Sequence, residues 1–210
     1  MQSAGGKSST TRGIRERPEG SFFDVVGIAA SSGGIKAIAE VISGLPVGFP
    51  ASVMVVQHLS PDFESRLAEL LSKYTTLKVK EAEDGEKIAR ATVYIASPDK
   101  HMMVNSDGTI SLTSLGKVHF TRPAADVLFV TMSISYKDRA IAVILTGAGE
   151  DGALGALAIK RAGGRTIVQE DPEAPSMPEA AIRIDDVDFI VPLAKIAPLL
   201  VNLVTKGKSE

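Results

Sequence analysis

The chain has 210 residues, 44 % of them hydrophobic, and a formal net charge of −2. That length and apolar content suit a globular α/β domain with a real core, and the near-neutral charge lacks the basic footprint of a nucleic-acid binder. There is no cysteine, which excludes disulfides, thiolate metal sites and cysteine nucleophiles. No apolar run approaches the roughly 20 residues of a membrane-spanning helix.

Residues 1–20 are rich in Gly, Ser, Thr, Arg and Glu and read as a disordered tail or linker remnant. They hold no apolar segment of the signal-peptide kind, so a cytoplasmic location is expected. Gly6-Lys7-Ser8 resembles the end of a phosphate loop, but the upstream glycine and strand that such a loop needs are missing. From Phe23 onward apolar runs and helical periods alternate. The pattern predicts a strand over 24–30, a helix over 34–44, a strand over 51–57 and a helix over 61–73, the last with Phe63, Leu67, Leu70, Leu71 and Tyr74 on one face. Pro61, Asp62 and Glu64 suit the first turn of that helix.

Residues 78–122 change character. Short β-prone pieces (78–80, 93–95, 102–104, 110–113) are separated by Asp84-Gly85, Ser97-Pro98-Asp99 and Asp107-Gly108. They predict a β-hairpin or ribbon insertion near 93–113 rather than further βαβ units. Alternation then resumes: helix 123–135, strand 140–145, helix 151–162 stopped by Gly163-Gly164, strand 165–169, strand 188–191 and helix 193–204. The whole predicts a single α/β domain over 21–205, doubly wound, with a mostly parallel sheet flanked by helices and a flexible end at 206–210. Asp185, Asp186 and Asp188 read as a solvated acidic turn, and Met102-Met103 as core filler.

Three polar elements follow strand-like runs: Ser31-Ser32-Gly33-Gly34, Gln57-His58 and Thr146-Gly147-Ala148-Gly149-Glu150-Asp151-Gly152. In an open parallel sheet the carboxyl ends of strands converge on one crevice. Ser31, His58 and Asp151 could therefore meet there as nucleophile, base and orienting carboxylate. A plainer reading has Ser31 and Ser32 capping the next helix, His58 as structural and Asp151 as a helix cap. Gly147-x-Gly149-x-x-Gly152, with Glu170 and Asp171 about 20 residues on, also fits the spacing of a nucleotide-binding loop. No metal is expected, because no His/carboxylate pair has close helical spacing and there are no thiolates.

Five segments in order carry a resemblance: Ile28-Ala29-Ala30-Ser31-Ser32-Gly33-Gly34, Val56-Gln57-His58-Leu59, Tyr94-Ile95-Ala96-Ser97-Pro98, Arg122-Pro123-Ala124-Ala125-Asp126-Val127-Leu128-Phe129 and Leu145–Ala153. With them the chain resembles the catalytic domain of the chemotaxis protein-glutamate methylesterase family (CheB type) from about Asp24 to Val204. The resemblance implies a serine hydrolase with Ser31, His58 and Asp151 as its relay and no cofactor. It implies that Ser32, Gly33, Ala148 and Gly149 form the oxyanion and substrate loop. The chain has Ser32 and Ala148 where the family commonly has threonine and methionine. The implied substrates are glutamate methyl esters, and some glutamines, on the cytoplasmic domain of methyl-accepting chemoreceptors. No nucleic-acid partner and no membrane insertion are expected. Residues 1–20 are too short for the receiver domain that many members carry. The expectation is a stand-alone esterase served by a separate receiver protein, or a piece of a longer chain. The rival expectations are a receptor-binding scaffold with weak catalysis and the nucleotide-binding module.

Overall fold

The computed structural model describes residues 23–59, 66–184 and 187–206. The predicted tail at 1–20, residues 207–210 of the predicted flexible end at 206–210, the turn at Pro61–Glu64 and Asp185-Asp186 lie outside them, while Lys206 is the last residue of a helix. The first half runs β1 (Val25–Ala30), α1 (Gly34–Ser43), β2 (Ser52–Gln57), α2 (Leu67–Leu71), β3 (Lys78–Glu81) and β4 (Thr92–Ile95). An antiparallel ribbon follows, β5 (His101–Val104) with β6 (Ile110–Thr113). The second half runs α3 (Ala125–Tyr136), β7 (Ala140–Ile144), α4 (Ala153–Arg161), β8 (Arg165–Glu170), α5 (Ser176–Ile184), β9 (Phe189–Pro192) and α6 (Leu193–Lys206).

Seven strands form one sheet in the order β3-β4-β2-β1-β7-β8-β9, every pair parallel. The central strands are buried on both faces, and successive side chains serve different cores. Val26, Ile28, Val53, Val55, Ile141 and Val143 pack against residues of α1 and α6. Val25, Ala29, Met54, Val56, Ala142 and Ile144 face α3, α4, α5 and the ribbon. Close packing leaves no room for a side chain at Gly27, where a Cβ would stand 2.6 Å from the Phe129 ring. The chain builds outward from β1 to β2 and then, from β7, in the other direction. The reversal between β1 and β7 is a topological switch point, the expected place for a ligand crevice.

Three readings need correction. Residues 78–95 are not part of the ribbon: β3 and β4 are parallel members of the main sheet, and the ribbon is confined to 101–113. The half-polar Lys78-Val79-Lys80-Glu81 looked like a hairpin arm because it is an edge strand, where lysines belong. Residues 176–184 form a helix, α5, that periodicity missed because Pro178 interrupts it; proline is tolerated in a first turn, where its missing N–H has no partner to lose. Asp188 is not a solvated turn residue: its carboxylate is 2.8 Å from Lys160 Nζ and accepts the Thr166 amide at 2.9 Å, tying α4 to β8.

Candidate active site

The site is assembled at the carboxyl ends of β1, β2 and β7. In the β1–β2 register Ala30 pairs with Gln57, so Ser31 and His58 are the next residues on two neighbouring strands. The Ser31 turn is pinned from both sides. Its amide donates to Thr146 O at 3.0 Å across β7, and the Gln57 side-chain amide donates to both Ser31 O (2.9 Å) and His58 O (3.0 Å). Thr146 Oγ1 adds a bond to Ser32 O at 3.0 Å. Sequence reading placed Gln57 and Thr146 in the polar elements at strand ends but gave neither a role; the apolar strand in front of each is the signal that put them there.

Helix α1 begins at Gly34 with Gly33 as its N-cap, at φ 75°, and no side-chain oxygen caps it. Ser31 and Ser32 are therefore not caps, which removes the plainer reading of those serines. Among the described residues the amides of Ser32, Gly33 and Ala148 make no hydrogen bond, whereas that of Gly147 is taken by Ala174 O at 2.9 Å. Gly147 must be glycine, since a Cβ there would lie 2.2 Å from Met177 Sδ and 2.9 Å from Ser31 Cβ. That approach brings the glycine-rich loop against Ser31.

His58 Nε2 lies 2.8 Å from Asp151 Oδ2, with the histidine side chain 13 % and the aspartate 2 % exposed. Asp151 also accepts the Ala125 amide on Oδ2 (2.6 Å) and the Asp126 amide on Oδ1 (3.0 Å). These are the first amides of α3, whose own N-cap, Ala124, has no oxygen to offer. A carboxylate there satisfies orphan donors and meets the positive end of the helix. Burial pushes the Asp151 carboxyl up, but the His58 bond and the two amides outweigh it and hold the group below its ordinary range. With Nε2 engaged by Asp151, Nδ1 is the ring nitrogen left for a second partner. Among the described residues no hydrogen bond joins the Ser31 hydroxyl to His58.

The other histidines are also placed. His101 is buried, accepts the Ala124 amide on Nδ1 (3.1 Å) and donates from Nε2 to Gly116 O (3.0 Å), which ties the ribbon to the start of α3. His119 Nε2 lies 2.9 Å from Asp126 Oδ2. Asp126 in turn accepts the Gly155 amide of α4 at 2.7 Å, so Asp151 caps α3 while Asp126 caps α4. Burial pushes the Asp126 carboxyl up and the nearby Asp151 charge adds to that, against the pull of the Gly155 amide and of His119. Sequence reading passed over Asp126, although it sits in the Arg122–Phe129 segment.

His119, Asp126 and Asp151 hold ligand-type atoms within 4.8 Å of one another. The carboxylate oxygens already receive N–H donors, so a cation would have to displace those bonds. The nucleotide reading of Gly147, Gly149 and Gly152 is not favoured: Gly147 is packed shut, and the Asp126 carboxylate occupies the α4 amide where a phosphate would sit.

A doubly wound parallel sheet with a serine turn and a histidine–aspartate pair at its switch point has the parts of a hydrolase active site. The profile of the CheB methylesterase family matches residues 26–200, and the chain belongs to that family of ester hydrolases. A protein of Leptospira interrogans is 40 % identical over 184 residues, covering 86 % of this chain and 95 % of its own length. A Pyrococcus abyssi protein named protein-glutamate methylesterase/protein-glutamine glutaminase is 38 % identical over 184 residues, covering 85 % of this chain but 50 % of its own. The crystal structure of the Thermotoga maritima CheB methylesterase catalytic domain superposes with a TM-score of 0.84 at 37 % identity, covering 87 % of this chain and 99 % of that one. Among the described residues no helix is long and apolar enough to cross a membrane.

Proposed function

We propose that residues 21–205 act as a protein-glutamate methylesterase, with Ser31 as nucleophile, His58 as base and Asp151 as the carboxylate that orients His58. The observation that carries the reading is the His58–Asp151 bond of 2.8 Å, anchored by two α3 amides, beside Ser31 in strand register. His58 Nδ1 takes the Ser31 proton as Oγ attacks the ester carbonyl, then returns it to the departing methanol. The amides of Ser32 and Gly33, unbonded among the described residues, with those of the Ala148–Gly149 loop, stabilise the oxyanion. Water, activated by the same histidine, then releases free glutamate.

The substrates are methylated glutamates of the cytoplasmic domain of chemoreceptors. Deamidation of receptor glutamines follows the same steps, with ammonia leaving in place of methanol. The name of the Pyrococcus abyssi relative, which pairs both activities, supports this. The test is methanol release from a methylated receptor cytoplasmic fragment by wild type and Ser31→Ala, with circular dichroism to verify folding. Wild type releases methanol and the folded variant does not; equal release by both would overturn the assignment.

A further inference from the structure

We propose that Phe120 is a docking residue for the protein segment that carries the ester, an inference that rests on the methylesterase reading and deepens it. Three separate observations meet at this residue. Phe120 is 95 % exposed, more than any other large apolar side chain among the described residues. A phenyl ring left in water forgoes the gain of burial, and aromatic side chains are the residues that interfaces use as anchors.

The backbone that holds it is unfavourable. Val118 and Thr121 exchange both backbone hydrogen bonds, at 3.1 and 2.9 Å, around a two-residue turn. Its central residues His119 and Phe120 lie at φ 49° and 62°. Positive φ at both positions marks the I′ class of turn, where Asn-Gly is the easy choice and a bulky side chain crowds its own carbonyl. Such conformations persist where the surroundings impose them, and they gather at functional sites. Here His119 supplies the anchor: Nε2 sits on Asp126 Oδ2 at 2.9 Å and Nδ1 is 3.4 Å from Glu150 Oε1. The ring of Phe120 is thereby held outward.

The third observation is position. A cleft of about 410 Å³ is lined by His119, Phe120, Gly149, Glu150, Glu179 and Arg183. Gly149 and Glu150 belong to the loop that leads directly into Asp151, and a ring nitrogen of His119 lies within 4.8 Å of an Asp151 carboxylate oxygen, so the cleft opens next to the Asp151 end of the site. A methyl ester alone is far too small to fill it. The occupant that fits is the polypeptide flanking the modified glutamate, with an apolar side chain against Phe120 and polar side chains toward Glu150, Glu179 and Arg183. Aromatic anchors ringed by polar groups carry much of the affinity at protein interfaces.

The experiment compares wild type, Phe120→Asn and Phe120→Tyr on a methylated receptor fragment and on p-nitrophenyl acetate, which is too short to reach the rim. Phe120→Asn is expected to lose about tenfold in kcat/KM on the fragment, carried by KM, with the ratio of fragment to small-ester turnover falling by the same factor. Its Tm stays at or above that of wild type, because asparagine accepts the left-handed region. Phe120→Tyr keeps the ring and the wild-type KM. An unchanged KM in folded Phe120→Asn overturns the docking role while wild-type turnover leaves the methylesterase reading intact. A wild type that hydrolyses neither substrate removes both.

Discussion

Two histidine–carboxylate pairs stand side by side in this protein, and their carboxyl groups behave in opposite ways. Asp151 accepts from His58 and from two amides at the start of α3, and its carboxyl is held below the ordinary range. Asp126 accepts from His119 and from one amide of α4, and burial with the adjacent Asp151 charge pushes it up. The residue types are identical. The donors that each buried carboxylate collects, and the charge beside it, decide which one stays ionised most readily. The pair with the secure carboxylate is also the pair that lies beside Ser31.

The sharpest way to break this contrast is Asp151→Asn. An amide side chain offers one acceptor oxygen to three donors and turns its own N–H group toward them. Turnover should fall by about 10³- to 10⁴-fold through loss of the histidine orientation, by analogy with the serine-protease example. The unmet donors should also lower the Tm. Methanol release and a thermal melt measure both, and a variant with near wild-type turnover would remove Asp151 from the relay.

Next in size is Gly155→Ala, which attacks both pairs through their shared scaffold. A Cβ there would lie 2.6 Å from Phe129 Cβ and 3.1 Å from the Asp126 backbone, so α3 and α4 must part. Overpacking of this kind costs about 1–3 kcal/mol, readable in a denaturant melt. Turnover should fall as well, because each helix start holds a carboxylate.

The mildest change is Asp126→Asn, which keeps an acceptor for the Gly155 amide and should cost less than about tenfold in turnover. Its effect on stability is a matter of pH. The folded value of Asp126 is raised, so its relative stabilisation is complete below the unfolded value of about 4 and is lost as pH rises through the folded value. Asp151 runs the other way: its folded value is depressed, so its stabilisation is present above about pH 4 and is lost as pH falls through the folded value. Over a range from below pH 4 to neutral, Asp126→Asn should therefore gain stability relative to wild type as pH rises above about 4, while Asp151→Asn should lose it as pH rises toward about 4 from below. Melts across that range test the two slopes, and parallel slopes would abolish the contrast.

Much of this architecture was legible before any coordinates. Runs such as Val25–Ala30 and Ala140–Ile144 are apolar at every position, which suits strands buried on both faces, and each is followed by a glycine-bearing polar turn. That pattern puts Ser31, His58 and Asp151 at strand ends. It went astray where an element is short or marginal: β3, read as a ribbon piece, presents lysines at a sheet edge, and α5, left unread, hides behind Pro178. Nor did any motif single out Gln57 as the bridge between the Ser31 and His58 carbonyls, or Asp126 as the cap of α4.

The division follows from the range of the forces. Which segments are strands, helices or turns depends on side-chain period and on the φ preferences of neighbouring residues, and these are written in consecutive letters. The state of a buried carboxylate depends on donors within about 3 Å, and the amides that hold Asp151 come from residues 25 and 26 positions earlier in the chain. Those donors arrive only when α3 packs against α4 and the sheet, so the tertiary fold, and not the local sequence, sets the charge at the site.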